Sequence, residues 1–364
     1  MQTDTAIRQP DDTSPAPATS PPALPPHVQV IQLATCYWIS RAVYAVAALG
    51  IADVLKDGAK PAEAIAAVTG THAPSLRRVL RSLASVGLFS ADSQGRFSVT
   101  PLGASLQSDA PGAARSTVLA LSGQWFWSAW SEVLHSVRTG ETGIEKALGV
   151  SEYTFLEQHP DEASHFNAAM IGMHGSEPAA IVEAYDFSGA QRVVDVGGGS
   201  GNLLGTILSA NPTLQGTLFE RPQVVPDAER NLAAAGVADR CETVGGDFLE
   251  SVPSGGDLYI VSHCIHNWDE ESCVRILANC RRAMAPGGRL LVVEAVVSPG
   301  DEPDLAKILD LVMLVVPGGE ERSEDEYRAL LEKAGFRLMR VVRTRTSACL
   351  IEAVPAFLGE GSRP

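Results

Sequence analysis

Two histidines stand three residues apart in Ser262-His263-Cys264-Ile265-His266-Asn267-Trp268, between the apolar run Asp257 to Val261 and Asp269, a residue type that caps helix N-termini. Imidazole changes charge near neutral pH, so a histidine at the end of a strand can take a proton from a hydroxyl. A histidine in that role needs its second nitrogen held by a carboxylate, which fixes the tautomer and favours the imidazolium that forms. Glu294 ends the run Leu290-Leu291-Val292-Val293-Glu294, and Glu320 and Glu321 follow Gly318-Gly319 in a loop. Histidines near strand ends are more often structural than catalytic. The pair at this edge has better odds, but the spacing alone leaves open which of the two is the base.

A second cluster precedes them. Val193-Val194-Asp195-Val196 stops at Gly197-Gly198-Gly199-Ser200-Gly201, and an apolar-periodic segment follows, as in a strand, tight turn and helix. A dinucleotide fingerprint starting at Gly197 would need glycine at 202, where Asn202 stands; starting at Gly199 it would need one at 204, where Leu204 stands. This disfavours a nicotinamide-dependent oxidoreductase. Asp195, Gly197, Gly199 and Gly201 instead form the pattern of an S-adenosylmethionine site, in which backbone meets the methionine and ribose and no phosphate is cradled. Glu220, at the end of the next apolar run, is placed to bond both ribose hydroxyls. Gly246-Asp247-Phe248, beyond a third run, offers a carboxylate for an adenine amine and a ring for the base. A turn aspartate with no ligand is the competing reading.

These residues need a sheet to bring them to one edge. From 193 onward the pattern alternates through 193–196, 202–210, 215–219, 224–235, 241–245, 257–262, 269–285, 288–295, 324–334 and 337–353, which predicts an α/β, doubly wound, mostly parallel sheet. Residues 118–182 read as helical. Trp125, Phe126, Trp127 and Trp130 there are expected in the core, while Met170 and Met173 are candidates to line an aromatic-substrate pocket. Residues 28–55 read as apolar helix, its first stretch closed by Gly50. Residues 61–103 read as helix, turn, helix and hairpin, a winged-helix pattern with Ser93-Gln94-Gly95 as the hairpin turn.

Arg77, Arg78 and Arg81 on the second helix of that pattern would suit DNA. However, the net charge of −15 argues against a nucleic-acid partner, or an anionic membrane, for the whole chain. A dimerisation role with the arginines solvated is favoured. The six cysteines form no CxxC pair, and no cluster of hard oxygen ligands is evident, so neither a disulfide framework nor a metal is expected. Residues 1–27, rich in Pro, Thr and Ser without an apolar run, read as a disordered tail and not a secretory signal. The apolar run Ala42 to Ala52 falls short of the ~20 residues of a membrane span. A cytoplasmic location is expected.

Taken in order, VVDVGGGSG, FERPQVV, GGDF, HNWDEE, APGGRLLVVE, GGEERS and AGF resemble the class I S-adenosylmethionine-dependent O-methyltransferases of the plant caffeate type and the bacterial antibiotic-tailoring type, over residues 28 to 355. The resemblance implies a Rossmann-like catalytic domain at 183–364, a mostly helical winged-helix-type dimerisation domain at 28–117 that makes a homodimer, and a helical pocket region at 118–182. It places the base on His266 and its flanking carboxylates on Glu294 and Glu321. Arg221, Ser262 and Trp268 fall among the cofactor contacts, Met170 and Met313 on opposite walls of the acceptor pocket, and Asn267 beside it. Three positions depart from the family pattern: Glu220 and Asn267 replace aspartates, and Ser262 replaces a lysine. The implied function is methylation of a phenolic hydroxyl of an aromatic small molecule, with S-adenosylhomocysteine as product. Alternatives are non-methylating chemistry on the same fold, such as decarboxylation or hydroxylation, and a ligand-responsive winged-helix regulator.

Overall fold

A computed structural model describes residues 24–112 and 114–356. Helices Pro26–Thr35 and Tyr37–Ala48 run almost continuously until Gly50, whose φ of 63° breaks the helix in a left-handed turn. By length and composition alone the longer stretch Pro26–Ala48 is apolar enough to cross a membrane, a test that core helices and N-terminal segments of proteins outside membranes also pass. The first of these helices buries nothing within the chain.

The helices Ala62–Thr69 and Ala73–Ser85 follow, with a three-stranded sheet of β1 (Lys60–Pro61), β2 (Phe89–Ala91) and β3 (Arg96–Val99) in the order β1-β3-β2. Leu76, Leu80 and Leu83 recur at helical spacing and are buried. Burying each leucine contributes roughly 1.5–3 kcal/mol, against about 0–1 for an exposed ion pair such as Arg77 with Glu63. Packing therefore fixes this helix, and Arg77, Arg78 and Arg81 stay on its solvent side.

Helices from Ala114–Leu121 to Glu177–Ala184, most of them short but including the fifteen-residue Pro160–His174, carry the aromatic cluster. Trp125 and Phe126 are core residues, as expected; Trp127 is more exposed and packs beside Tyr37. Trp125 stacks on Phe155 with ring centroids 5.5 Å apart. This cluster also holds Val315 and Val316, at the end of helix Leu305–Val315. The sequence reading passes over that helix, although Lys307 and Asp310, three residues apart in an otherwise apolar run, mark a polar side at helical spacing.

The main sheet comprises β4 (Arg192–Val196), β5 (Gln215–Glu220), β6 (Cys241–Gly245), β7 (Leu258–Ser262), β8 (Arg289–Val297), β10 (Phe336–Arg343) and β11 (Ala348–Pro355), in the order β10-β11-β8-β7-β4-β5-β6; the short β9 (Arg322–Ser323) pairs with β8. The single expected element 337–353 is thus two antiparallel strands joined by a turn. The polar break at Thr344 to Ser347 is the sequence signal for that turn. Pairings β4–β5, β5–β6, β4–β7 and β7–β8 are parallel. Side chains alternate between two covered faces. Val194, Val196, Tyr259 and Val261 pack on one, and Val193, Leu218, Leu258 and Ile260 on the other, which is why these strands read as unbroken apolar runs. The chain leaves β4 toward β5 and β6, then returns to β7 on the other side of β4. This topological switch opens a crevice beyond the carboxyl ends of β4 and β7, where open α/β sheets bind ligands.

Candidate active site

Five strand ends meet at that crevice. β4 delivers the glycine turn, in which Gly197, Gly199 and Gly201 have φ of 71°, 53° and 76°. At Gly197 a β-carbon would come within 2.6 Å of Cys264 Sγ, so the bare backbone is a steric requirement as well as a torsional one. Gly201 packs away from the crevice: its missing β-carbon faces Leu218 and Leu232 and lets helix Asn202–Ala210 start close to the sheet. At the end of β5, Glu220 accepts hydrogen bonds from the amides of Gly199 at 3.0 Å and Arg221 at 2.7 Å.

A cavity of about 670 Å³ lies in front of these groups. Of the expected cofactor residues, Gly197, Glu220 and Arg221 line it on one side; Gly246, Asp247 and Phe248 line it beyond β6; and Ser262 and Trp268 line it beyond β7. The Phe248 and Trp268 rings meet edge to face, with centroids 5.8 Å apart. Asn267 also lines the cavity, and its amide donates to the His263 carbonyl at 3.2 Å, closing the turn that carries both histidines. Tyr153, under the Arg221 guanidinium, completes this wall and was not foreseen. Met170 lines an adjoining smaller hollow. Met173 is exposed and Met313 half-buried, and neither lines either space.

The two histidines receive different partners. The His266 Nδ1–H donates to Glu321 Oε1 at 2.9 Å, and Glu294 Oε2 lies 3.2 Å from the same nitrogen. Both carboxylates are buried, Glu294 completely. Glu294 Oε1 accepts the amides of Ile265 at 2.9 Å and His266 at 3.3 Å, and Asp310 Oδ1, on the unforeseen helix, accepts the Glu321 amide at 2.9 Å. With Nδ1 committed to the carboxylates, Nε2 is the nitrogen left to exchange a proton. Burial works against a charge on His266, but Glu294 and then Glu321 outweigh it and raise its pKa to about 9. Glu152 is also buried here with no hydrogen-bond partner among the described residues. Burial pushes its carboxyl up to about 7, opposed by the charge of His266.

His263 has a φ of 49°, the left-handed region that non-glycine residues rarely adopt. Its Nε2–H donates to Glu177 Oε2 at 2.7 Å, and the His174 Nδ1–H donates to the same oxygen at 3.0 Å. His263 Nδ1 lies 3.7 Å from Glu294 Oε2. Burial opposes the charge of Glu177, but these two imidazole donors hold its carboxyl down at about 2. Sequence reasoning does not find Glu177 and His174; their only signal is a His-x-x-Glu spacing across a helix junction. Among the described residues, the donor atoms of His174, Glu177 and His263, and those of His263, His266 and Glu294, lie within 4.8 Å of one another.

A family model of the O-methyltransferase domain matches residues 130–337, more than half of the chain, and one of the O-methyltransferase dimerisation domain matches residues 31–109. The chain belongs to the O-methyltransferase family. Phenazine O-methyltransferase PhzM of Lysobacter antibioticus is 45% identical over 333 residues, covering 92% of this chain and 97% of that protein. The solved mitomycin 7-O-methyltransferase MmcR matches with a TM-score of 0.86 and 38% identity, covering 91% of this chain and 98% of that one. NcsB1, an O-methyltransferase from neocarzinostatin biosynthesis solved with S-adenosylmethionine and 2-hydroxy-5-methyl naphthoic acid, matches with a TM-score of 0.78 and 33% identity over 87% of this chain and 95% of that one. The expected family, fold class and enzyme class are borne out: the protein is an S-adenosylmethionine-dependent O-methyltransferase. Its site fits that cofactor. Glu220 stands at a strand end on the cavity wall, and the buried Asp195 carboxylate beneath the turn has neither oxygen hydrogen-bonded among the described residues.

Proposed function

We propose that this enzyme methylates a phenolic hydroxyl of a planar aromatic natural product, with His266 as general base. The observation that carries the reading is the His266 Nδ1 held by Glu321 and Glu294 at 2.9 and 3.2 Å, in the turn between Cys264 and Asn267, which both line the donor cavity. When bound, S-adenosylmethionine supplies a methyl group made electrophilic by its sulfonium. Glu220 holds the ribose, Asp247 and Phe248 meet the adenine, and Ser262, Arg221 and Trp268 close the cavity around it. His266 Nε2 accepts the phenolic proton while Glu294 and Glu321 stabilise the imidazolium, and no covalent enzyme intermediate is needed. A phenol of pKa near 10 is only about one part in a thousand ionised at pH 7, so the base raises the reactive fraction, and alignment of the two bound molecules adds to it.

The similarity to PhzM and NcsB1 makes phenazine and hydroxynaphthoate phenols the first acceptors to try. Met170, which lines the adjoining hollow, is assigned to the acceptor wall with Asn267 beside it, while Met173 and Met313, which line neither space, could reach an acceptor only by rearrangement. Residues 28–117 serve dimerisation, 118–182 shape the pocket and 183–364 bind the donor. The test is S-adenosylhomocysteine formation across such a panel by the wild type and His266→Ala. The variant should lose about 10²-fold or more in kcat with S-adenosylhomocysteine affinity nearly unchanged. Wild-type turnover in the variant would remove the base assignment. Decarboxylation or hydroxylation without release of S-adenosylhomocysteine would favour non-methylating chemistry.

A further inference from the structure

Among the buried acids around His266, Glu152 has no part in the chemistry described so far. It takes the first position of helix Glu152–Gln158, and its neighbour Tyr153 lines the main cavity. Phe155 and Leu156, three and four residues on, share a helix face with Glu152, and both pack in the aromatic cluster where Trp125 stacks on Phe155. Glu152 therefore sits where that cluster borders the histidine turn, close enough for the charge of His266 to act on its carboxyl.

Nothing within the protein uses this carboxylate. Glu152 is 8% exposed, and no hydrogen bond or ion pair engages its side chain among the described residues. No lysine or arginine offsets its charge; burial and His266 alone act on it. The helix needs no cap from it, because the Ser151 hydroxyl already accepts the Thr154 amide at 3.3 Å. Unlike the oxygens of Asp195, those of Glu152 are not fully enclosed. His266 cannot serve as its partner either, since Nδ1 is committed to Glu321 and Glu294. A buried acid without a partner is costly, and a leucine of similar size would fill the position without that cost. The position makes sense if a ligand brings the missing donor, and aromatic walls suit a flat one.

We propose that Glu152 selects the acceptor: its carboxylate accepts a hydrogen bond from a second hydroxyl or an amino group on the ring system whose phenol His266 deprotonates. On the phenol-methylation reading, on which this assignment rests, the acceptor class narrows to phenols that carry another hydrogen-bond donor. Two anchors, His266 on the reacting hydroxyl and Glu152 on the second group, fix the ring in its plane and decide which hydroxyl meets the methyl donor. An analogue without the second donor leaves the buried acid unpaired, so it is rejected more strongly than its shape alone would require.

The experiment is calorimetric titration of the full chain, saturated with S-adenosylhomocysteine, with naphthalene probes: the two naphthols, their dihydroxy and amino-hydroxy isomers, and the methyl ethers of the second hydroxyl. The wild type should bind at least one donor-bearing isomer about 10- to 100-fold tighter than the matching naphthol and methyl ether, the range of a hydrogen bond to a charged group. Glu152→Leu should bring these ligands within about threefold of one another and leave the plain naphthol at least as tight as before. Glu152→Gln keeps an acceptor oxygen without the charge and should retain part of the preference. Neither variant should melt below the wild type, because each relieves a buried charge; a melting temperature several degrees lower would make Glu152 a structural residue and overturn the assignment. So would a wild type indifferent to the second donor, a preference that survives in Glu152→Leu, or an equal loss for every probe. Tighter binding of hydroxynaphthoates than of any donor-bearing isomer would also overturn it. No binding of any probe, with S-adenosylhomocysteine still bound, would instead remove the aromatic-phenol reading itself and this assignment with it.

Discussion

At the scale of single residues, the pull of two buried carboxylates on one imidazole decides how His266 works. A pKa of about 9 leaves only about one molecule in a hundred with a free base at pH 7, yet it matches that base to a phenol, so proton transfer within the complex is close to thermoneutral. The rate kcat/KM should therefore climb with pH until near 9. Glu321→Gln removes one negative neighbour and a charged acceptor, so the midpoint should move to lower pH, by on the order of one unit, while the plateau rate drops. An upward shift, or a wild-type profile already flat at pH 7, would count against His266 as the titrating base. Glu294 also supports the backbone, because its other oxygen caps the Ile265 and His266 amides. Glu294→Gln should therefore lower thermal stability as well as rate, readable by comparing the melting temperatures of the two Gln variants.

Elements set the distances between these residues. The turn Ile265–Asn267 and the loop 316–321 come from opposite sides of β8 in the sequence, and they dock backbone to backbone: the Glu320 amide donates to the His266 carbonyl at 2.9 Å, and a β-carbon on Gly319 would lie 1.9 Å from that oxygen. Only glycine permits this approach. Gly319→Ala should push the loop outward, carry Glu321 away from His266 and cost about tenfold or more in turnover, with S-adenosylhomocysteine affinity held near the wild-type value. Equal loss of both in a calorimetric and kinetic comparison would mean that the loop supports the donor cavity instead. The Gly-Gly-x-Glu-Arg motif is legible as a place where a carboxylate could return to the sheet edge, but the steric demand at Gly319 is not. Helix Leu305–Val315, whose Asp310 anchors the Glu321 amide, is passed over by sequence reasoning although Lys307 and Asp310 mark its polar side; what the sequence does not show is that Asp310 reaches the Glu321 amide.

Across the whole molecule, the largest unsatisfied feature is apolar. Ile31, Leu33, Tyr37 and Trp38 project from the first two helices into solvent, with Leu33 75% exposed, inside the segment that matches the dimerisation domain. A second copy covering them would remove that exposure, and light scattering should give twice the 38.4 kDa chain mass. Leu33→Asp with Trp38→Asp should yield a monomer; a monomeric wild type, or an unchanged dimer in the double variant, would place the interface elsewhere. What the sequence determined by itself was local: the glycine turn, the strand-end acids Glu220 and Glu294, the His266 segment and the two-face apolar runs of the sheet. Each is written in neighbouring residues, and the carboxyl-edge rule carries them to one crevice without further information. Tertiary structure decided the partnerships. Glu177 meets His263 across 86 residues, a partner that no short-range pattern encodes, and the docking of loop 316–321 on the turn Ile265–Asn267 sets the geometry of the Glu321 and His266 pair, 55 residues apart, which the family resemblance implies.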